Sequence, residues 1–113
     1  MFAEGRASVL VSPEKVESAL LRPGAEAFGE EFYPTAAEKA AVLLQGVVVA
    51  HAFADGNKRL GLGLMLSFLA LNGLPIEADE DALYDFIIGV TTGALRDVPE
   101  MAETVRNLFR IPG

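Results

Sequence analysis

Cysteine and tryptophan are absent from the 113 residues of this chain, histidine occurs once, and nine lysines and arginines face sixteen aspartates and glutamates. Without cysteine there are no disulfides and no thiolate metal sites, a usage that fits the cytoplasm. A formal net charge of −7 and a pI near 4.6 exclude non-specific nucleic-acid binding, which needs a basic face. Long hydrophobic runs are missing as well: Gln45 interrupts Val42–Ala50 and Ser67 interrupts Leu60–Leu71. Both runs fall well short of the ~18–20 residues of a membrane span, so no membrane partner is expected. No basic segment leads into an apolar run near Met1, so no signal peptide is expected either.

What is present is apolar. Hydrophobic residues make up 51% of the chain and the mean hydropathy is +0.34, high for so short a sequence. The length suits one domain, residues 1–113, large enough to bury a core without staples. No run alternates long enough for a long strand, whereas helix start and stop signals recur. Ser12-Pro13-Glu14 reads as a helix start, with Val16, Ala19 and Leu20 on one face and Pro23-Gly24 as the stop. Residues 23–34 have no sustained period and read as a loop with room for a short hairpin. Thr35 and Glu38 form a T-x-x-E capping box for a helix that runs to about His51 and is apolar nearly all round in its last turns. A second apolar helix runs from Asn57 or Lys58 to Asn72-Gly73, and Gly61 and Gly63 inside it imply close approach of another helix or of the preceding loop. Asp79 caps an amphipathic helix with Leu83, Phe86, Ile87 and Val90 on one face and Gly93 at its end. Asp97 caps the last, which buries Met101, Val105, Leu108 and Phe109. The fold class is all-α, about five helices around two central buried ones.

Between those central helices lies His51-Ala52-Phe53-Ala54-Asp55-Gly56-Asn57-Lys58-Arg59, which holds the single histidine. Polar groups this dense, flanked by the most apolar segments, are costly to bury without a reason. Free amides at a helix N-terminus point outward, and the helix dipole favours an anion there. Lys58 and Arg59 in the first turn oppose that dipole, and an oxyanion held between amides and cations removes the conflict. His51 is suited to act as base for a hydroxyl near neutral pH. Asp55 offers a hard oxygen to Mg²⁺ accompanying phosphates. Phe53 reads as the apolar anchor of the motif loop. Base, metal ligand and anion cradle together suggest phosphoryl or nucleotidyl transfer. Each part alone has a plain structural alternative: a histidine capping a helix, a D-G-N turn, a solvated cation pair. A P-loop is excluded, since G-x-x-x-x-G-K-[ST] does not occur.

The combination H-x-F-x-D-G-N-K-R resembles the signature of the Fic/Doc family, and lysine after the asparagine resembles its Doc (death-on-curing) toxin branch. The resemblance extends to L-x-F-L-x-L-N-G at Leu66–Gly73, G-x-x-T-G at Gly89–Gly93 and F-G-E-E-x-Y-P-T-A-A-E-K-A at Phe28–Ala40, spanning roughly residues 12–110. It implies the all-helical Fic fold with the motif loop between the central helices. Fic enzymes move AMP from ATP to a protein hydroxyl and carry a glycine and a second arginine where this chain has Lys58 and Leu62. Both departures resemble Doc-type toxins, which transfer the γ-phosphate of ATP to a threonine of translation elongation factor Tu.

By that resemblance His51 is the catalytic base and Asp55 the metal ligand, while Gly56, Asn57, Lys58 and Arg59 bind the phosphates of ATP with Mg²⁺. The loop at 25–34 would be the flap that docks the target, and an antitoxin protein would be the partner. The alternatives are an AMP transferase or a Fic-fold module that only binds. Family members commonly carry one more helix ahead of this segment, so the chain is expected to be N-terminally short, with an exposed groove along the central helices. A homodimer burying part of Met1–Val11 or of the 79–93 helix follows from that expectation.

Overall fold

The computed structural model describes residues 13–50 and 57–112. Five α-helices run in chain order: α1 Pro13–Leu21, α2 Ala36–Ala50, α3 Asn57–Leu71, α4 Glu80–Thr92 and α5 Val98–Phe109. A 3-10 turn at Arg22–Gly24 leads from α1 into a two-stranded hairpin, β1 Glu26–Ala27 and β2 Glu30–Glu31. The chain is therefore all-α apart from this small hairpin. No described helix is long and apolar enough to cross a membrane.

Helix α2 begins where its sequence says it should. Glu38 Oε1 accepts from the Thr35 backbone N–H at 3.0 Å, and Thr35 Oγ1 accepts from the Glu38 N–H at 3.2 Å, so two otherwise orphaned donors are satisfied reciprocally. The helix is then buried along Ala37, Ala40, Ala41, Leu44 and Val48, spaced three and four apart, with Val42, Leu43 and Val47 buried beside them. Helices α1, α3, α4 and α5 all pack against α2.

Two glycines set how near the neighbours come. A Cβ at Gly46 would stand 3.0 Å from the Ala19 Cβ, so α1 crosses α2 almost backbone to backbone. A Cβ at Gly61 would stand 2.9 Å from both Leu44 Cδ1 and Val48 Cγ1. Close approach therefore explains Gly61, as expected, and does not explain Gly63, which has open space around it. Helix α3 buries one side, Gly61, Met65 and Leu69, and leaves Gly63, Ser67 and Ala70 exposed.

Leu20 departs from its expected place on the buried face of α1. It is 49% exposed because Ala19 takes the contact with Gly46, and the next residue is turned about a quarter of the way round the helix. Helix α3 ends in a Schellman motif: Gly73 has φ +72°, its N–H donates to Ala70 O at 3.0 Å, and the Leu74 N–H donates to Leu69 O at 3.0 Å. Asp79 caps α4 by accepting from the Ala82 N–H at 2.9 Å, and Gly93 closes it at φ +84°.

Helix α5 starts after Asp97, whose side chain makes no cap bond. Pro99 at the second helical position has no N–H, which removes one of the two usual donors to such a cap. Phe86, Ile87 and Val90 of α4 and Met101, Val105 and Phe109 of α5 complete the core, joined by Ile111 beyond the last helix. The apolar stripe of α4 is used internally, and Tyr84 is the large hydrophobic side chain this helix exposes.

The hairpin is the least supported part of the fold. Ala27 pairs with Glu30 and Glu26 with Glu31, and the two residues between them, Phe28 and Gly29, have φ +54° and +80°. That is a type I′ turn, with phenylalanine where asparagine is usual. Phe28 is wholly exposed, and Phe32 is 58% exposed.

Candidate active site

The stretch that carries the chemistry joins the C-terminus of α2 to the N-terminus of α3. Val48 lies in the last turn of α2 and Gly61 one turn into α3, so the close contact between them fixes the two helix ends relative to each other. Six residues, 51–56, connect these ends. His51, Phe53, Asp55 and Gly56 lie outside the described residues. Asn57 is the first residue of α3, and Lys58 and Arg59 are exposed in its first turn. That turn contains no acid. Positive charge from two side chains and from the helix terminus is therefore gathered at one place on a chain of net charge −7. The ion pairs found among the described residues lie elsewhere, Lys39 with Glu31 and Arg106 with Glu103.

A family model described as the Fic/DOC family matches residues 3–69. The chain belongs to the Fic/Doc family. It is also 41% identical over 66 residues to a protein named Toxin Doc from Mycolicibacterium smegmatis, an alignment that covers 58% of this chain and 51% of that protein. The chain thus spans about half the length of the curated relative it matches. The Fic/Doc match runs through α1, the hairpin, α2, the connection and nearly all of α3. Helices α4 and α5 lie beyond it and serve the fold by covering the α2–α3 pair.

Within the Fic/Doc segment, sequence reasoning missed one side chain. Lys39, on α2, is 19% exposed and directs its ammonium at three oxygens: Pro23 O at 3.3 Å, Tyr33 O at 2.5 Å and the Glu31 carboxylate. Those oxygens lie on the two stems of the hairpin, so one residue of α2 holds both. A lysine among Ala37, Ala40 and Ala41 on a buried helix was the available signal, because a covered ammonium needs acceptors. Lys39 precedes Ala50 by eleven residues, about 16 Å along the helix at ~1.5 Å per residue. The hairpin is therefore anchored toward the end of α2 opposite the connection, rather than beside it.

Proposed function

We propose that this chain acts as a Doc-like toxin that transfers the γ-phosphate of ATP to a protein hydroxyl, by resemblance a threonine of elongation factor Tu, and so inhibits translation. The observation that carries the reading is the first turn of α3: Asn57, Lys58 and Arg59 follow directly on H-x-F-x-D-G and expose two cations at a helix N-terminus, with no acid within that turn. Membership of the Fic/Doc family and the similarity to Toxin Doc support it. An antitoxin protein is then the partner that holds the activity in check.

In this reading Gly56, Asn57, Lys58 and Arg59 cradle the phosphates, and Phe53 pins the loop to the core. His51 takes the proton of the acceptor hydroxyl as the hydroxyl oxygen bonds to Pγ. The bond from Pγ to the β–γ bridging oxygen breaks, and ADP leaves with that electron pair. One carboxylate from Asp55 with phosphate oxygens is a donor set that suits Mg²⁺, which would offset phosphate charge when bound. The hairpin would grip the acceptor at a distance from the reacting hydroxyl.

The test is transfer from ATP labelled separately at the α and γ phosphates. Purified protein, Mg²⁺ and either elongation factor Tu or whole-cell extract should yield acceptor carrying the γ label and no α label. Incorporation of the α label would make the chain an AMP transferase instead. Neither label, with nucleotide still bound, would leave a module that only binds.

A further inference from the structure

We propose that Lys39 is a positioning residue for the transfer reaction: it holds the 26–31 hairpin in the conformation that engages the acceptor protein. The inference rests on the transfer reading above and concerns how the acceptor, rather than the nucleotide, is held.

The hairpin has little of its own to keep it folded. Each strand is two residues long, and isolated two-stranded hairpins are marginal even when longer. Glu26 and Glu31 stand directly opposite each other in the register, a like-charge pair that disfavours the pairing. Phe28 occupies the left-handed region at φ +54°, a conformation that an aromatic side chain resists. Inside the module the stabilising contacts are few: Phe32 N–H to Ala25 O at 2.9 Å extends the ladder, and the Arg22 guanidinium sits 5.6 Å from the centre of the Tyr33 ring.

Lys39 answers the first two of these weaknesses. An ammonium has three N–H donors, and all three are used. Pro23 O lies before β1, while Glu31 and Tyr33 O lie on and after β2, so the ammonium ties entry and exit to one point on α2. Its charge also offsets Glu31 and relieves the opposition to Glu26. Because α2 is fixed to α3 by the Gly61–Val48 contact, a hairpin fixed to α2 is fixed relative to the first turn of α3 as well. A grip about 16 Å away along α2 governs whether the acceptor docks, and leaves the chemical step to the connection. Lysine is required because the three oxygens converge on one point. The planar fork of arginine spreads its donors and matches that geometry only in part.

Lys39→Met keeps the length of the side chain and removes the donors. In Lys39→Met the hydrogen exchange of amides 26–33 should accelerate at least tenfold, while amides of α3, α4 and α5 keep the wild-type rates. With elongation factor Tu as acceptor, KM for the acceptor should rise at least tenfold and kcat, KM for ATP and acceptor-independent ATP hydrolysis should change less than twofold. Lys39→Arg should recover part of the acceptor KM, and Glu77→Gln, exposed between α3 and α4 and away from the hairpin, should behave as wild type. Unchanged hairpin exchange in Lys39→Met would overturn the proposal. So would a fall in kcat at constant KM, or exchange rising equally in every helix. Should the wild type label no acceptor at all, the transfer reading fails, and hairpin exchange alone still decides whether Lys39 is the clamp.

Discussion

Gly61 of α3 and Val48 of α2 lie so close that a single added methyl group at Gly61 would stand 2.9 Å from the Val48 Cγ1. Val48 is 1% exposed and β-branched, and Leu44, equally near, is completely buried. Neither side chain has room to withdraw. The contact fixes the two helix ends between which residues 51–56 run, so packing at this glycine sets the frame of the proposed phosphate site.

A matched pair of substitutions follows. Gly61→Ala gains up to ~1 kcal/mol of helix propensity but meets an overpacking penalty of about 1–3 kcal/mol, for a net destabilisation. Gly63→Ala, two residues on, meets nothing within 4 Å and should stabilise by up to ~1 kcal/mol. Chemical denaturation of both variants checks the sign, and equal shifts would show that α2 and α3 are not in close contact.

The capping box offers a second test. Thr35→Ala removes an acceptor of the Glu38 N–H and should cost about 0.5–2 kcal/mol. Glu38→Ala frees the Thr35 N–H and breaks the 2.9 Å bond from Thr35 Oγ1. Since the two side chains serve each other, the double variant should lose less than the sum of the single losses. Strict additivity in a double-mutant cycle would mean that the box does not operate in solution.

These features show which parts of the fold are legible in the sequence. Thr35–Glu38, Asp79–Ala82 and Gly93 are local devices, with partners three residues away, so residue type and spacing suffice to find them. Leu20 is different, because what covers it depends on where α1 crosses α2, and that is set by Ala19 meeting Gly46 across 27 positions of the chain. Lys39 is hidden for the same reason: its three acceptors lie 6, 8 and 16 residues away, and two are backbone carbonyls that carry no residue identity. The site divides likewise. The turn residues before Asn57 mark the start of α3 and place Lys58 and Arg59 in its first turn. His51, Phe53, Asp55 and Gly56 lie outside the described residues, and their roles rest on residue chemistry and family resemblance.

Phe28 supplies a third prediction. Asparagine is the preferred residue at the first position of a type I′ turn, so Phe28→Asn should relieve strain of order 1 kcal/mol and slow hydrogen exchange across 26–31. A wholly exposed aromatic in a strained conformation has no packing reason to be there. If it contacts the acceptor, the same variant should raise the acceptor KM while the hairpin becomes more protected. Faster exchange in Phe28→Asn would contradict the assigned turn.

Arg110 closes α5 in the left-handed conformation at φ +56°, its N–H donating to Arg106 O, while the Ile111 N–H donates to the same oxygen at 2.9 Å. Glycine is the usual occupant of such a position because it has no Cβ to clash. Arg110→Gly should therefore raise the melting temperature by the equivalent of about 1 kcal/mol, although the unfolded chain gains freedom. A fall in stability would indicate that the Arg110 side chain contributes more than its backbone strain removes.

The final prediction separates binding from chemistry at the α2–α3 connection. If Lys58 and Arg59 hold phosphates at the N-terminus of α3, ATP with Mg²⁺ should raise the melting temperature of the wild type in proportion to RT ln(1 + [L]/Kd). Arg59→Ala removes a cation that is already solvent-exposed, so the free protein should melt where the wild type does while the nucleotide-dependent shift disappears. His51→Ala should do the reverse: the shift survives, and transfer of label to acceptor falls by a factor of ~10²–10⁴, the usual contribution of a general base. Because the two variants are read on different axes, a general loss of folding cannot imitate the pair. Transfer at the wild-type rate in His51→Ala would assign the single histidine to the fold and remove it from the reaction.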